Sequence, residues 1–146
     1  MATRGLIRFA KREDGVTFNE HPGVDKVHVE IYNHYDSYPE GLGVDLSKFL
    51  NEFKVVNGLG DRNARVANGM GCLAAQLVAD MKTEPGQVYL YKPNEDKGWA
   101  DYVYYVWVAD NKDIWLSIFD YYDNCIFVGK PSKLIEKYKL NTNYDG

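Results

Sequence analysis

A short segment in the first third of the chain is dense in side chains that can do chemistry. Residues 32–43 read Tyr-Asn-His-Tyr-Asp-Ser-Tyr-Pro-Glu-Gly-Leu-Gly and are called the central segment below. The proline disfavours the α conformation for Tyr38, and Gly41 and Gly43 give the backbone freedom ahead of a helical pattern. We therefore expect a loop at the carboxyl end of a strand, where polar side chains converge on a ligand.

His34 and Asp36 are the candidate catalytic pair, should the protein be an enzyme. They are two residues apart, so on an extended backbone both side chains point the same way. A histidine beside a carboxylate is typical of a general base or of two metal ligands. A buried histidine held in place by the carboxylate explains the pair equally well. His21 and His28 lie at no recognisable ligand spacing, so the sequence predicts no metal and no cofactor.

A second candidate segment, Gly69-Met70-Gly71, precedes a helical pattern and follows Arg62 and Arg65. A glycine-rich turn into a helix N-terminus exposes backbone N–H groups and the positive end of the helix dipole, which suits an anion. The segment lacks the Lys-Ser/Thr ending of a P-loop and does not match the dinucleotide fingerprint. Glycines that allow close helix packing explain it as well. Cys72 has small apolar neighbours, which favours a buried structural thiol over a reactive one.

One α+β domain, residues 1–146, is expected to position these segments. Alternation predicts strands over 1–9 and 27–34, and apolar residues at helical spacing predict helices over 45–55 and 69–82. Aromatic and β-branched runs joined by hairpin-length connections predict an antiparallel meander over 87–128. A short helix over 131–138 and a frayed tail over 141–146 complete the chain. The expected fold is a mainly antiparallel sheet with the two main helices on one face.

The sheet is predicted to carry aromatic side chains on both faces. Tyr105, Trp107, Trp115 and Phe119 share one alternation class, which three short helices cannot cover entirely. A contiguous apolar patch of this kind usually marks a contact with another protein or with a ligand. The pattern therefore predicts a homo-oligomer, with an aromatic platform for a ligand as the alternative.

Composition restricts the remaining function classes. The chain has 146 residues, enough for one domain with a real core, and a formal net charge of −4, which disfavours a nucleic-acid partner. No apolar run approaches a membrane span, and the N-terminus lacks the apolar stretch of a signal peptide. We therefore expect a cytoplasmic protein without a membrane partner. In that reducing compartment a disulfide between Cys72 and Cys125 is not expected.

Three segments resemble a family of small proteins encoded by bacteriophages and prokaryotes. They are Thr3-Arg4-Gly5-Leu6-Ile7, the pattern Tyr32-x-His34-x-Asp36-Ser37-Tyr38-Pro39-x-Gly41-x-Gly43, and residues 67–76, Ala-Asn-Gly-Met-Gly-Cys-Leu-Ala-Ala-Gln. The resemblance carries no catalytic assignment. It implies a setting, namely a phage-type accessory protein acting in the host cytoplasm.

Three functions remain open on the sequence. In the first, the protein binds a small anionic, nucleotide-like ligand without catalysing a reaction, as would suit capture of a host defence signal. The predicted ligand contacts are the arginines, the tyrosines of the central segment, its His/Asp pair and the glycine turn: Arg4, Tyr32, His34, Tyr35, Asp36, Tyr38, Arg62, Arg65, Gly69 and Gly71. In the second, it is a small hydrolase or transferase with His34 as base and Asp36 as its orienter. In the third, it is an oligomeric interaction protein without a ligand.

Overall fold

The computed structural model describes residues 2–10, 27–56, 65–93, 95, 98–108 and 113–139. In this part of the chain eight strands and three α-helices form a mixed α+β fold, as predicted. The strands are β1 (Gly5–Ala10), β2 (Val27–Asn33), β3 (Lys54–Val56), β4 (Val66–Asn68), β5 (Val88–Tyr91), β6 (Tyr102–Val108), β7 (Ile114–Asp120) and β8 (Cys125–Gly129). The helices are α1 (Val44–Asn51), α2 (Gly69–Met81) and α3 (Pro131–Lys139), and one π-helical turn (Pro39–Gly43) leads directly into α1.

Six strands form the main sheet in the order β5-β2-β1-β6-β7-β8. All neighbours are antiparallel except β1 and β6, which run parallel with Ile7 opposite Tyr104. The segments beginning at Tyr102 and Ile114 are antiparallel neighbours, so the predicted meander is confirmed for β6, β7 and β8. It is wrong for β5, which pairs with β2 at the opposite edge of the sheet.

The helices cover one face of the sheet, which we call the helix face. Its core combines alternate residues of the strands, such as Ile7 and Val106, with Leu46 and Leu77 of the helices, all nearly inaccessible. Burial of apolar side chains of this size contributes about 1.5–3 kcal/mol each to folding. The core therefore fixes α1 and α2 relative to the strand ends that lie between them.

Predicted element bounds agree with the structure to within a few residues, apart from the first helix. It was expected over 45–55 but ends at Asn51, because Lys54–Val56 forms a short parallel pair with Val66–Asn68. This two-stranded sheet is absent from the sequence prediction. Three-residue strands are too short for their alternation to be recognised. The predicted hairpin at 110–112 and the tail at 141–146 lie outside the described residues.

The opposite face of the sheet, called here the aromatic face, carries the predicted aromatic class. Trp107 and Trp115 stack with ring centroids 5.5 Å apart, and Tyr105 meets Phe119 edge to face at 5.7 Å. These side chains do share one face, as expected. Trp107, however, is 0% exposed, and Tyr105 and Phe119 are also buried within a single chain. The expectation that these rings form an open surface for self-association is therefore wrong.

Candidate functional site

Hydrogen bonds to neighbouring strands brace the central segment from inside. The Ser37 backbone N–H donates to the Thr3 carbonyl at 3.1 Å, and the buried Tyr104 hydroxyl donates to the Ser37 carbonyl at 2.7 Å. The Ser37 hydroxyl donates to the Asn33 carbonyl and accepts a bond from the Asn33 amide nitrogen at 2.9 Å. Buried polar groups satisfied in this way hold a loop in one conformation.

Two glycines are required where backbones approach closely. A Cβ atom on Gly5 would lie 2.5 Å from the Ser37 Cβ, and one on Gly41 would lie 2.7 Å from the Asp36 carbonyl oxygen. No side chain fits at such distances without a shift of its neighbours. Two of the segments that carry the family resemblance, 3–7 and 32–43, therefore meet in space. The glycines and Ser37 of these motifs have a structural explanation.

The backbone at Asp36 separates the two members of the predicted catalytic pair. Asp36 has φ of 53°, a left-handed conformation that aspartate tolerates better than most residues. This conformation ends the alternation of the strand, so His34 stays on the aromatic face while Asp36 lines a cleft on the helix face. In the described part of the chain no hydrogen bond or ion pair joins their side chains. The structure therefore does not bring the two side chains of the predicted pair into contact, and their catalytic role stays a prediction.

His34 is engaged with an aromatic cluster instead. The Tyr32 hydroxyl lies 2.5 Å from His34 Nδ1, and Tyr32 itself packs against Tyr91 and Trp99 with centroids 5.2 Å away in both cases. Burial, followed by the nearby Tyr91, raises the pKa of Tyr32, which keeps the phenol neutral. The Tyr32 hydroxyl and His34 Nδ1 are within hydrogen-bond distance, and the imidazole tautomer decides which of the two donates. This interaction fixes the ring without giving it a carboxylate partner.

On the helix face, an open cleft of about 570 Å³ lies where the central segment, α1 and the last turns of α2 meet. Its size is within the usual range for small-molecule sites. Among the described residues, fifteen from the end of β2, the loop, both helices and the position before β5 line it: Asn33, Tyr35, Asp36, Tyr38, Gly41, Leu42, Asp45, Leu46, Lys48, Phe49, Glu52, Leu77, Asp80, Met81 and Gln87. Its floor is apolar and buried, because Leu42, Leu46 and Leu77 are core residues.

The rim of the cleft is polar and aromatic. Tyr35 and Tyr38 are 55% and 37% exposed, and Tyr35 also meets the His34 ring edge to face with centroids 4.5 Å apart. Four carboxylates, those of Asp36, Asp45, Glu52 and Asp80, face one cation, Lys48, so the ionised lining carries a formal charge of −3. The cleft thus combines apolar area with convergent polar groups, the usual composition of a ligand site.

One buried residue on the cleft, Asn33, has a side-chain acceptor that the described part of the protein does not use. Asn33 is only 3% exposed, and its amide nitrogen donates to the Tyr35 carbonyl at 2.6 Å and to the Ser37 hydroxyl. The carbonyl acceptor fixes the amide orientation, since only the NH₂ group can face it. Within the described residues Asn33 Oδ1 accepts no hydrogen bond, and it belongs to a residue that lines the cleft.

Of the ten predicted ligand residues, the structure brings three together, namely Tyr35, Asp36 and Tyr38. Tyr32 and His34 lie in the aromatic cluster. Gly69 and Gly71 start α2, whereas the cleft is lined by Leu77, Asp80 and Met81 near its other end. The central segment therefore lines the cleft and the glycine turn does not. The sequence analysis had predicted that both segments contact the same ligand.

The predicted arginines do not line the cleft either. Arg4 lies over the Trp99 ring at 5.4 Å and pairs with Asp101 at 3.7 Å. Arg65 lies over Phe53 at 5.6 Å and pairs with Glu52 at 3.7 Å. Arg62 lies outside the described residues.

Sequence reasoning missed the helical half of the cleft. Asp45, Lys48, Phe49 and Glu52 recur at the three- and four-residue spacing of one helix face, directly after the central segment. That spacing was a usable signal, because a polar helix face next to a loop rich in chemistry is a candidate wall of a site. The contribution of Asp80 and Met81 had no such signal, since only the tertiary fold brings the end of α2 to the loop.

Comparison of the chain with family models, curated proteins and solved structures found no match. The resemblance to phage-encoded proteins therefore stays a prediction. In the described residues no group of three or more histidine, cysteine, aspartate or glutamate side chains is placed to hold a metal ion. No helix in the same residues is both long and apolar enough to span a bilayer.

Proposed function

We propose that this protein is a binding module that holds a small molecule in the cleft between the central segment, α1 and α2. The observation that carries the proposal is the combination of an apolar floor, two exposed rings (Tyr35 and Tyr38) and Asn33 Oδ1, an acceptor of a buried residue that accepts no hydrogen bond within the described residues. A protein surface seldom leaves such groups together without a partner.

Binding without turnover is favoured over the hydrolase or transferase alternative. His34, the candidate base, is bonded to Tyr32 on the aromatic face, while Asp36 lines the cleft. A general base must reach the proton that it abstracts, directly or through one water. Those lining residues of the cleft that the structure describes include carboxylates, one lysine and tyrosines, and no histidine or cysteine.

A nucleotide-like ligand is the second candidate. A base would stack on the exposed rings of Tyr35 and Tyr38, an interaction worth about 1–3 kcal/mol per base in single-strand binders. In the described lining of the cleft, Lys48 is the one cation that would meet its phosphate. Capture of a nucleotide defence signal by a phage-type accessory protein in the host cytoplasm stays a prediction from the resemblance. Self-association likewise stays a prediction, without the aromatic face as its surface.

The proposal is tested by identifying what the protein retains from a bacterial extract. Wild-type protein is incubated with the low-molecular-weight fraction, desalted and heat-denatured, and the released molecules are measured by mass spectrometry. In Met81→Trp, a half-buried residue of the cleft wall is enlarged to fill it. Ala79→Trp is the matched control, because Ala79 is exposed on the same helix and does not line the cleft.

We expect the same molecule from wild type and Ala79→Trp, and its loss from Met81→Trp at unchanged circular dichroism. Retention by all three proteins would place the site elsewhere. Empty wild-type protein from every extract tested would refute a binding function for the cleft.

A further inference from the structure

We propose that the ligand of this cleft is an organic polycation, in which amino or guanidinium groups are separated by apolar carbon, as in an aliphatic polyamine. This inference rests on the proposed binding function and names the chemical class of its ligand. It departs from the anionic ligand that the sequence led us to expect, because the cleft presents acceptors and negative charge.

The first observation is the charge of the rim. Asp36 comes from the loop, Asp45 from α1 and Asp80 from α2, and all three are exposed. Within the described residues none of their carboxylates makes a hydrogen bond or an ion pair. Glu52 pairs with Arg65 at 3.7 Å, but both side chains are about 60% exposed, so water screens that pair. The rim therefore retains negative charge that a cationic ligand would neutralise.

The second observation is independent of charge. Asn33 Oδ1 belongs to a buried side chain whose amide nitrogen is already committed to Tyr35 and Ser37. An acceptor that the protein does not use, together with carboxylates on the same cleft, favours a ligand that carries N–H or O–H donors. Ammonium and guanidinium groups supply donors and positive charge together, and charge-assisted bonds are the stronger ones.

The third observation explains why the positive charges should be separated by carbon. The carboxylates stand on three different elements and do not form a metal-ligand cluster in the described residues. Between them the floor is made of apolar side chains, including Leu46 and Leu77. Methylene groups would cover that floor while the charged groups reach the rim. The exposed faces of Tyr35 and Tyr38 also attract cations.

A nucleotide fits this lining less well than a polycation. Its phosphates would face four carboxylates, and among the described residues that line the cleft Lys48 is the only countercharge. Like charges at close range cost free energy. Asn33 Oδ1 is a hydrogen-bond acceptor, so it cannot donate a hydrogen bond to a phosphate oxygen. The charge of the ligand is therefore the property that separates the two candidates.

The test is calorimetric titration of the full chain at low and constant ionic strength with three probes: spermidine, an uncharged alkanediol of similar length, and AMP. Two variants are compared with wild type. The cleft variant combines Asp36→Asn, which keeps a residue that tolerates the left-handed backbone, with Asp80→Asn. The control variant removes two exposed carboxylates that do not line the cleft, through Glu84→Gln and Glu136→Gln.

We expect wild type to bind spermidine and neither of the other probes. The cleft variant should lose roughly tenfold in spermidine affinity, which equals about 1.4 kcal/mol, while the control variant binds like wild type. Equal losses in both variants would mean diffuse attraction to an acidic protein and would overturn the inference, as would the absence of spermidine binding.

AMP binding that is abolished by Met81→Trp, together with no response to spermidine, would also overturn the inference. It would leave the cleft as a binding site, so the failure of the ligand class is distinguishable from failure of the proposed function. Binding of the alkanediol as tightly as spermidine would show that the apolar floor alone selects the ligand, which would equally overturn a cationic class.

Discussion

The two sides of the chain at the end of β2 differ in what their polar groups do. On the aromatic face, Tyr32 and His34 bond to each other, and Tyr32 packs against Tyr91 and Trp99. On the helix face, Asn33 leaves an acceptor unused, and the carboxylates of Asp36, Asp45 and Asp80 have no partners in the described part of the chain. Residues with more obvious chemistry thus lie on the first side, and the candidate site lies on the second.

The difference teaches that residue type alone does not identify a site. A histidine, tyrosines and a tryptophan can satisfy one another and act as a structural unit. An exposed carboxylate beside an apolar floor is less conspicuous in a sequence. It can nevertheless form hydrogen bonds or ion pairs with a ligand. We therefore expect the residues on the aromatic side to stabilise the fold and those on the cleft side to bind the ligand. Mutations on each side test this expectation.

The largest effect is expected at Tyr32. Tyr32→Ala removes a ring that is 6% exposed and stacks on Tyr91, so the free energy of unfolding should fall by about 3–5 kcal/mol. Urea unfolding measures this change. The ligand retained by wild type should still be retained wherever the variant is folded. A loss below about 1 kcal/mol would show that the cluster is not a structural unit.

Gly5 and Gly71 should respond to alanine with opposite signs. Gly5→Ala should destabilise by about 1–3 kcal/mol, because its Cβ would lie 2.5 Å from the Ser37 Cβ. Gly71→Ala should stabilise by up to about 1 kcal/mol, because a Cβ there meets open space on a helix.

Thermal and urea unfolding of both glycine variants check these signs. Gly71→Ala should also bind ligand like the parent. If it lost binding, the glycine turn at the start of α2 would be the site after all.

Tyr104 links the sheet to the central segment and should make stability depend on alkaline pH. Burial holds the pKa of Tyr104 well above its ordinary value near 10, so the folded state keeps a proton that the unfolded state releases. Its contribution is complete below about pH 10 and is lost as the pH rises from there toward the folded pKa.

Tyr104→Phe should lower the free energy of unfolding by about 1–3 kcal/mol at neutral pH, because the Ser37 carbonyl loses its donor. It should also flatten the decline above pH 10. Urea titrations at several pH values measure both effects. A decline that is equally steep in the variant would mean that other groups cause it.

The smallest effect on stability is expected at Tyr35, on the cleft side. Tyr35→Ala should change the free energy of unfolding by no more than about 0.5 kcal/mol, since more than half of its surface is exposed. Ligand retention should nevertheless fall. An unchanged ligand yield would remove Tyr35 from the site, and a large loss of stability would move it to the structural side of the comparison.

Much of the fold was predictable because it depends on local patterns. The alternation from Val27 and the β-branched runs after Tyr102 predicted their strands, and residues 114–120 paired as expected. The parallel pairing of β1 with β6 was not predictable, because it joins segments almost a hundred residues apart in sequence. The same limit explains why the location of β5 was missed.

The candidate site was predictable only in its loop. The central segment placed Tyr35, Asp36 and Tyr38 on one loop, and the cleft contains all three. The separation of His34 from Asp36 was not predictable, since it depends on a single left-handed residue. The part of the cleft formed by Asp80 and Met81 depends on how α2 packs on the sheet, which no local pattern encodes.

The most direct test of the comparison is an NMR titration of the isotope-labelled chain with the low-molecular-weight fraction of a bacterial extract. We predict that the largest amide shifts occur in residues that line the cleft, including Tyr35, Lys48 and Met81. Trp99 and Tyr91 on the aromatic side, and Gly71 at the far end of α2, should change little. Largest shifts at Trp99 and Tyr91, or at Gly71, would contradict the account.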